Sequence, residues 1–377
     1  MSNSVPLHPQ IKSMITAEQV LDALRNVEEP DLKKDLVTLN MIKDVLVDGM
    51  NVSFAVILTT PACPMKELIE RACINAVIYY VNKDAKVTVH MTSNVTSGRS
   101  GAKSMLPGVR NIIAVSSGKG GVGKSTVAAN LAVALAQLGA KVGLVDADIY
   151  GPSMPIMFGL DNERVAVEMR GDKSVMLPVE KYGVKVLSIG FFVDTSQSIV
   201  WRGPMASRAL QQLFADADWG DLDYMIVDLP PGTGDIHLTM VQSVPVTGAI
   251  VVTTPQEVAL ADARKGIDMF RKAVINVPVI GLVENMAWFT PAELPANKYY
   301  IFGKDGGKRL AEEMHVPMLG QIPLVQSIRE GGDNGKPEVL QPDSAVARSF
   351  ELLAASVAQQ VAIMNSNTAM RNAVESN

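Results

Sequence analysis

The sequence predicts an α/β protein in which a parallel sheet flanked by helices follows a small α+β domain with the order α-β-β-α-β. Short apolar runs alternate with segments of helical periodicity, a pattern typical of parallel strands buried on both faces by helices. A glycine-rich loop also joins the first of these runs to a helix. The predicted strands of the sheet are residues 112–115, 142–145, 184–189, 225–227, 249–252 and 279–283.

Length and composition limit the class of protein. The chain has 377 residues, of which 47% are hydrophobic, enough for two domains with packed cores. Its formal net charge is -5 and it has no long basic run, which argues against a nucleic-acid partner. The first residues lack an apolar signal core, and no later run approaches the roughly 20 apolar residues that cross a bilayer. We therefore expect a cytoplasmic protein without a membrane partner.

The first part of the chain carries the signals of the small α+β domain. A capping box at Thr16 begins a helix, and Asp48-Gly49 between two apolar stretches predicts a β-hairpin. A helix after Pro64 and a strand over residues 85–91 complete the pattern. We place this domain at residues 1–95.

The domain boundaries follow from composition. A serine- and glycine-rich stretch over residues 96–108 predicts a linker. The second domain is placed at residues 109–364 and ends in a helix over residues 345–363. The remaining residues, 365–377, form a polar tail with too little apolar content to fold alone.

The glycine-rich loop has the sequence GKGGVGKS from Gly118 to Ser125, which matches the pattern GxxxxGK[ST] between a strand and a helix. Glycines let backbone N–H groups surround phosphates, and the helix N-terminus adds its dipole. The motif predicts a P-loop NTPase that binds and hydrolyses ATP with Mg²⁺. Lys124 is expected to reach the β- and γ-phosphates, and Ser125 to ligate magnesium. The predicted nucleotide contacts in this loop are Gly118, Lys119, Gly120, Gly121, Val122, Gly123, Lys124, Ser125 and Thr126.

Acidic residues stand at the ends of two predicted strands. Asp146 and Asp148 follow residues 142–145, and Asp228 follows residues 225–227. Open α/β sheets hold ligands at the carboxyl ends of their strands. An acid ending an apolar strand is the Walker B arrangement, so Asp228 is predicted to hold a magnesium-bound water. The turn over residues 230–235 is placed to respond to the γ-phosphate.

The second lysine of the loop, Lys119, resembles the signature of the deviant Walker A ATPases. The resemblance implies a homodimer in which Lys119 crosses the interface to the partner's nucleotide, where a second cation stabilises the transferring phosphoryl group. It further implies that Asp148 orients the attacking water, that Asp146 lies near the metal and that Asn285 reads adenine. Catalysis is thus assigned to Lys119, Lys124 and Asp148.

Longer motifs indicate a narrower family. The segments VDADIYGPSMP (145–155), WRGPM (201–205), DLPPGTGDIHLT (228–239) and LGQIPL (319–324) resemble the Mrp/ApbC family of iron–sulfur cluster carrier ATPases. The segment TTPACP (59–64) resembles the PaaD-like domain often fused to these ATPases. The resemblance covers nearly the whole chain. It implies a carrier or scaffold that works with cluster-assembly proteins and delivers iron–sulfur clusters to apo-proteins.

The chain departs from this family at the cargo site. Family members bind a bridging cluster through a CxxC from each subunit, after a segment that here is residues 285–289, and residues 290–293 contain no cysteine. Cys63 precedes Pro64, which suits the first position of a helix, and a helix N-terminus favours a thiolate. Cys63 is therefore a candidate cluster ligand, and equally a buried residue at a tight turn. Cys73 is expected in the core.

Three functions stay open at this point. The first is the cluster carrier. The second is an ATP-dependent adaptor in iron–sulfur assembly that recruits apo-proteins and binds no cluster, which the missing CxxC favours. The third is a positioning ATPase of the Min/Par type, which needs a basic tail or face. The C-terminal segment instead mixes Arg348 and Arg371 with Glu351 and Glu375.

Overall fold

The computed structural model describes residues 15–97, 105–192, 203–234, 237, 240, 244–291 and 293–375. The described chain divides into two compact units, one that runs through Asn94 and one that starts at Val95. Parts of six predicted features lie outside the described residues: 1–14 of the small domain, 98–104 of the linker, Trp201 and Arg202 of WRGPM, Asp235 of the phosphate-sensing turn, residues 236, 238 and 239 of DLPPGTGDIHLT, and 376–377 of the polar tail.

The N-terminal unit packs helices against a three-stranded sheet. In chain order its elements are α1 (Ala17–Leu24), β1 (Glu28–Glu29), β2 (Lys34–Asp35), β3 (Ile42–Asp48), β4 (Asn51–Leu58), α2 (Lys66–Tyr80) and β5 (Lys86–Ser93). Thr16 and Gln19 form the predicted capping box at α1. β3 and β4 form the predicted hairpin at Asp48-Gly49, and α2 crosses over so that β4 and β5 are parallel.

The core of this unit follows from the alternation of β4. Its residues 52, 54, 56 and 58 point to the buried face, with partly buried residues between them. Phe54 is 1% exposed and shares a core with Ile69 and Cys73 of α2. Fully burying apolar side chains of this size stabilises the fold by about 1.5–3 kcal/mol each. The core position predicted for Cys73 is confirmed.

The second unit is built on an eight-stranded sheet in the order β10-β11-β7-β12-β6-β13-β14-β15. Every neighbouring pair is parallel except β10 with β11. Its elements are β6 (Val109–Ser117), α3 (Lys124–Gln137), β7 (Val142–Asp146), α4 (Met154–Met157), β8 (Ala166–Arg170), β9 (Lys173–Leu177), β10 (Val179–Lys181), β11 (Val184–Ser188), α5 (Gly203–Ala215), β12 (Leu222–Asp228), β13 (Gly248–Thr253), α6 (Glu257–Arg271), β14 (Val279–Glu284), α7 (Gly306–Met314), β15 (Met318–Gln321), α8 (Gln326–Asp333) and α9 (Ala345–Glu375).

The predicted parallel sheet is confirmed, since each of the apolar runs forms a strand of it. These strands are buried on both faces, and Ile112 to Val115 in the central β6 are fully buried. The sequence analysis did not find the hairpin β8–β9, the antiparallel edge strand β10 or β15. β8 is exposed at every residue, so it lacks the apolar pattern that identifies buried strands.

The last helix differs from its prediction. It continues beyond residue 363 to Glu375, so the predicted polar tail is helical over residues 365–375. Asn365 is 4% exposed. Its amide donates to Thr96 O at 2.8 Å and to Asn111 Oδ1 at 2.9 Å. A buried side-chain amide that donates two hydrogen bonds therefore helps to hold a segment whose apolar content is low.

Candidate nucleotide-binding site

The glycine-rich loop lies at the carboxyl end of β6, in the middle of the sheet between β12 and β13. α3 begins at Lys124 directly after the loop, and Gly123 at its N-cap has a φ of 80°. Glycine adopts this left-handed conformation without a steric penalty. α3 in turn packs against β7, β12 and α9. The loop is thus anchored to the core of the unit at both ends.

The loop is packed on one side and open on the other. A Cβ on Gly118 would overlap the backbone of Asp262 in α6, and a Cβ on Gly123 would overlap the side-chain amide of Asn285. Gly121 also has a φ of 80°, and nothing lies within 4 Å of a Cβ placed there. An open concave face lined by backbone N–H groups is what phosphate binding requires.

The ammonium group of Lys124 lies among oxygen atoms from three elements. It donates to Asp228 Oδ1 at 2.7 Å and to Ser125 Oγ at 3.1 Å. Asp148 Oδ2 lies 3.5 Å away. The Lys124 side chain is 6% exposed and that of Asp228 is fully buried. The structure therefore brings together four of the predicted site residues.

Burial perturbs the two strand-end acids. It raises the pKa of Asp228, and Lys124 partly offsets this rise through its charge and hydrogen bond. Burial also raises the pKa of Asp146 to about 7, and the nearby charge of Asp228 adds to the rise. Among the described residues, Asp228 Oδ2 is buried and has no hydrogen-bond partner. A buried oxygen of this kind fits a cation-bound water, because an unsatisfied carboxylate is costly.

Asp146, predicted to lie near the metal, accepts hydrogen bonds from other residues of the chain. Its Oδ1 accepts from the backbone N–H of Asp148 at 3.2 Å. Its Oδ2 accepts from the backbone N–H groups of Ser153 and Met154, each at 3.0 Å, and from Ser188 Oγ at 2.9 Å. The carboxylate is fully buried. It thus joins the end of β7, the following loop and the end of β11.

Asn285 lies at the end of β14 and contacts the phosphate loop directly. Its side-chain amide donates to Val122 O at 2.8 Å, and its backbone N–H donates to Thr253 O. A cavity of about 370 Å³ opens beside it. The lining of this cavity includes Gly123, Thr126, Asn285, Met286, Pro323 and Leu324. Residues of α4 and α8 complete the lining, so this cavity adjoins the phosphate loop at the start of α3.

Lys119 stands apart from the cluster around Lys124. Its carbonyl accepts from Ser117 Oγ at 2.9 Å, and its partly buried side chain forms no ion pair within the described part of the chain. The turn after β12 is tied to the same loop, because Gly232 N donates to Ser117 O at 2.9 Å. A movement at the loop can therefore reach that turn.

The local structure predicted around Cys63 is wrong. α2 begins at Lys66 with Met65 as its N-cap, so Pro64 is not the first helical residue and Cys63 does not cap the helix. Cys63 is partly buried. Burial raises its pKa above the ordinary value, and the carboxylates of Asp31 and Glu29 add to the effect. Burial thus disfavours the thiolate that a helix N-terminus was expected to favour.

Aromatic residues flank residues 290–293, the segment where the family would place its cysteines. Phe289 and Tyr299 exchange backbone hydrogen bonds at 2.8 and 2.9 Å, which closes a short hairpin. Lys298 Nζ lies 3.8 Å from the centre of the Trp288 ring. Residue 292 lies outside the described part. Among the described residues, no group of three or more His, Cys, Asp or Glu side chains is arranged to hold a metal ion.

Ser188 and Asp262 are site residues that the sequence analysis missed. Ser188 ends β11 and pairs in register with Asp146 of β7. A polar residue that ends an apolar strand was a usable signal, the same one that identified Asp228. Asp262 contributes only its backbone, against Gly118, and no side-chain pattern marks such a contact.

The fold and the site define a nucleotide-binding P-loop ATPase. The profile of the NUBPL iron-transfer P-loop NTPase family matches residues 108–358, and that of an iron-sulfur cluster assembly protein family matches residues 17–91. The chain belongs to the NUBPL iron-transfer P-loop NTPase family and carries the assembly-protein domain in front of it. The family resemblance seen in the motifs is confirmed. No helix in the described ranges is long and apolar enough to span a membrane.

Characterised relatives match over nearly the full chain. An iron-sulfur cluster carrier protein from Synechocystis sp. is 49% identical over 352 residues, covering 93% of this chain and 99% of the relative. One from Escherichia coli is 44% identical over 346 residues, covering 91% of each chain. A nucleotide-binding protein from Archaeoglobus fulgidus, solved with ADP, is 39% identical with a TM-score of 0.54. That match covers 62% of this chain and 90% of the other.

Proposed function

We propose that this protein is an ATP-dependent carrier of iron–sulfur clusters, in which nucleotide turnover at the P-loop governs the loading or delivery of a cluster as cargo. One observation supports it above others: Lys124, Asp148 and Asp228 converge within 3.5 Å at the loop. This is machinery for phosphoryl transfer. This machinery occurs in a chain that is 49% identical to an iron-sulfur cluster carrier protein, which supports a link between phosphoryl transfer and the carrying of clusters.

The chain's own residues account for the hydrolysis of ATP. Phosphoryl transfer requires positive charge near the transferring group and an oriented nucleophile. The backbone N–H groups of residues 118–126 surround the phosphates, and Lys124 contacts the β- and γ-phosphates. Asp148, 3.5 Å from Lys124, orients the attacking water. Lys119 of a second subunit supplies the further cation.

Magnesium accompanies ATP at Ser125 and Asp228. Mg²⁺ prefers oxygen ligands and keeps several waters, so one hydroxyl and one carboxylate acting through water are sufficient. The buried Asp228 Oδ2, which lacks a partner among the described residues, fits that role. When bound, the ion would neutralise negative charge on the phosphates. Asn285 is proposed to read adenine in the cavity of about 370 Å³ beside it.

Replacing Lys124 tests the site. In Lys124→Ala the ammonium group that contacts the transferring phosphate is lost, so ATP turnover should fall by at least about 10²-fold. The matched control is Lys141→Ala, which removes an exposed lysine outside the site. Turnover is followed as phosphate release. Wild-type turnover in Lys124→Ala would exclude this P-loop as the catalytic site.

Homodimerisation through Lys119 is a separate proposal. A lysine without an ion pair in the described chain is available for a second subunit's nucleotide. Light scattering after size exclusion should find a dimer with a slowly hydrolysed ATP analogue, and a monomer for Lys119→Ala under the same conditions. A wild-type protein that stays monomeric at saturating analogue would contradict the proposal.

The cargo site is tested by anaerobic reconstitution with iron and sulfide. Cys63 is the proposed cluster ligand, and two subunits contribute two thiolates, so the client apo-protein or other donors complete the set. Wild type should bind a cluster that Cys63→Ser loses, measured by iron and sulfide content and the visible spectrum. A cluster in neither protein would favour the ATP-dependent adaptor, which recruits apo-proteins and binds no cluster itself.

A further inference from the structure

Both oxygens of the Asp146 carboxylate already accept hydrogen bonds within the chain, three at Oδ2 and one at Oδ1, whereas Asp228 Oδ2 has no partner among the described residues. An ionised carboxylate offers about four lone-pair positions. Asp146 receives four donors at 2.9–3.2 Å, which are three backbone N–H groups and the hydroxyl of Ser188. The group is fully buried, so no solvent path replaces a lost bond. A direct bond to magnesium would compete with these four hydrogen bonds, most strongly at Oδ2, which accepts three of them.

These bonds fix both ends of the loop that carries Asp148. At one end Asp148 N donates to Asp146, and at the other end the N–H groups of Ser153 and Met154 do so. Ser188 connects this arrangement to the next strand, because its hydroxyl donates to Asp146 and accepts from Gly190 N at 2.9 Å. The position of Asp148 therefore depends on β7 and β11 together.

We infer that Asp146 and Ser188 are positioning residues that hold Asp148 beside Lys124, and that Asp146 is not a magnesium ligand. The inference rests on the ATP site proposed above. Asp148 lies 3.5 Å from Lys124 and is only 8% exposed, so a small displacement of its loop changes its distance to the reacting phosphate. Displacements of about 1 Å at a reacting centre lower rates by up to about 10²-fold.

The experiment separates positioning from metal binding by measuring kcat, the KM for ATP and the Mg²⁺ concentration for half-maximal turnover. Asp146→Asn keeps the shape but replaces an acceptor with a donor, and Ser188→Ala removes one bond to the carboxylate. We expect kcat to fall by about 10²-fold in Asp146→Asn and by about tenfold in Ser188→Ala. The KM and the Mg²⁺ requirement stay within about twofold of wild type, because neither residue contacts nucleotide or metal.

Two reference variants make the result specific. Ser125→Ala removes a proposed magnesium ligand and should raise the Mg²⁺ requirement. Ser344→Ala is matched to Ser188→Ala, because the Ser344 hydroxyl also donates to a buried carboxylate, that of Glu338, at 2.9 Å and accepts from a backbone N–H. It should lower the melting temperature similarly and leave kcat unchanged. The kcat of the double variant Asp146→Asn/Ser188→Ala should be no lower than that of Asp146→Asn, because both changes disrupt the same hydrogen bonds around residue 146.

The outcomes are distinguishable. A raised Mg²⁺ requirement in Asp146→Asn, matching Ser125→Ala, with normal kcat in Ser188→Ala, overturns the inference and makes Asp146 a metal ligand. A normal kcat in both variants overturns it as well. If Asp146→Asn does not fold, the kcat of Ser188→Ala is compared with that of Ser344→Ala. A lower kcat in Ser188→Ala alone supports the positioning role, and equal kcat values overturn it. Wild-type protein that does not hydrolyse ATP would instead refute the proposed function.

Discussion

Gly123 lies against the side chain of Asn285. Replacing Gly121 and Gly123 in turn distinguishes the cost of the left-handed backbone from the cost of a collision with Asn285. Gly121 and Gly123 share a φ of 80°, but only at Gly123 would a Cβ overlap Asn285. Gly121→Ala should lower the free energy of unfolding by about 1–2 kcal/mol, the cost of the left-handed backbone. Gly123→Ala should lose about 1–3 kcal/mol more through the collision. Urea unfolding without nucleotide measures both, and equal losses would contradict the Asn285 contact.

The two thiols should differ in reactivity. Burial raises the pKa of Cys73 to about 12 and also raises that of Cys63, so both are protonated at neutral pH. Because only the thiolate reacts, iodoacetamide should modify Cys63 more slowly than free cysteine and leave Cys73 unmodified in the native protein. The Cys63 rate should keep rising with pH through the range in which free cysteine titrates. A plateau below pH 8 would show a lowered pKa.

The residues that lie at the site were predictable where they end a strand, but their hydrogen-bond partners were not. The acids Asp148 and Asp228 follow apolar runs, and parallel strands bring such ends to one edge of the sheet. The bonds of Asp146 to Ser188 depend on which strand lies next to β7, and that neighbour is 42 residues away in sequence. The prediction for the environment of Cys63 was wrong for a related reason. Desolvation of the thiol depends on packing that a local sequence motif does not encode.

At the scale of elements, buried strands and the P-loop helix were predictable because their apolar runs have a period. The hairpin β8–β9 was not, since an exposed strand has no buried face to mark it. The end of α9 was missed because a single buried amide, rather than an apolar stripe, fixes residues beyond 363. Element existence thus follows from pattern, whereas element ends follow from specific contacts.

The buried amide of α9 supports a prediction with a matched pair. Asn365→Ala removes the donors to Thr96 O and Asn111 Oδ1, and the buried Asn111 loses this partner, whereas Thr96 O still accepts from Asn111 Nδ2. We expect the free energy of unfolding to fall by about 1–3 kcal/mol. Asn367→Ala, an exposed site two residues along the same helix, should change it by less than about 0.5 kcal/mol. Equal losses of unfolding free energy in the two variants, measured by denaturant unfolding, would contradict the anchoring role of Asn365.

At the scale of the whole molecule, the two units have separate cores and only one carries the P-loop. ADP should therefore raise the midpoint of one calorimetric unfolding transition and leave the other in place. At 100 times its Kd, a ligand stabilises the unit that binds it by about 2.7 kcal/mol. The sequence analysis placed the small domain at residues 1–95, and the described chain divides after Asn94. A single transition that moves as one would mean the units unfold cooperatively.

The contact of Lys124 with Asp228 has a consequence for the energetics of turnover. Within its own chain this ammonium group has a carboxylate oxygen at 2.7 Å, so Asp228 competes with the phosphates of ATP for Lys124. The free energy of separating that pair is subtracted from the affinity for nucleotide. The same pair re-forms as products leave, which lowers the cost of vacating a buried cationic site. The Lys124–Asp228 pair therefore weakens the binding of nucleotide and favours its release by the same amount of free energy.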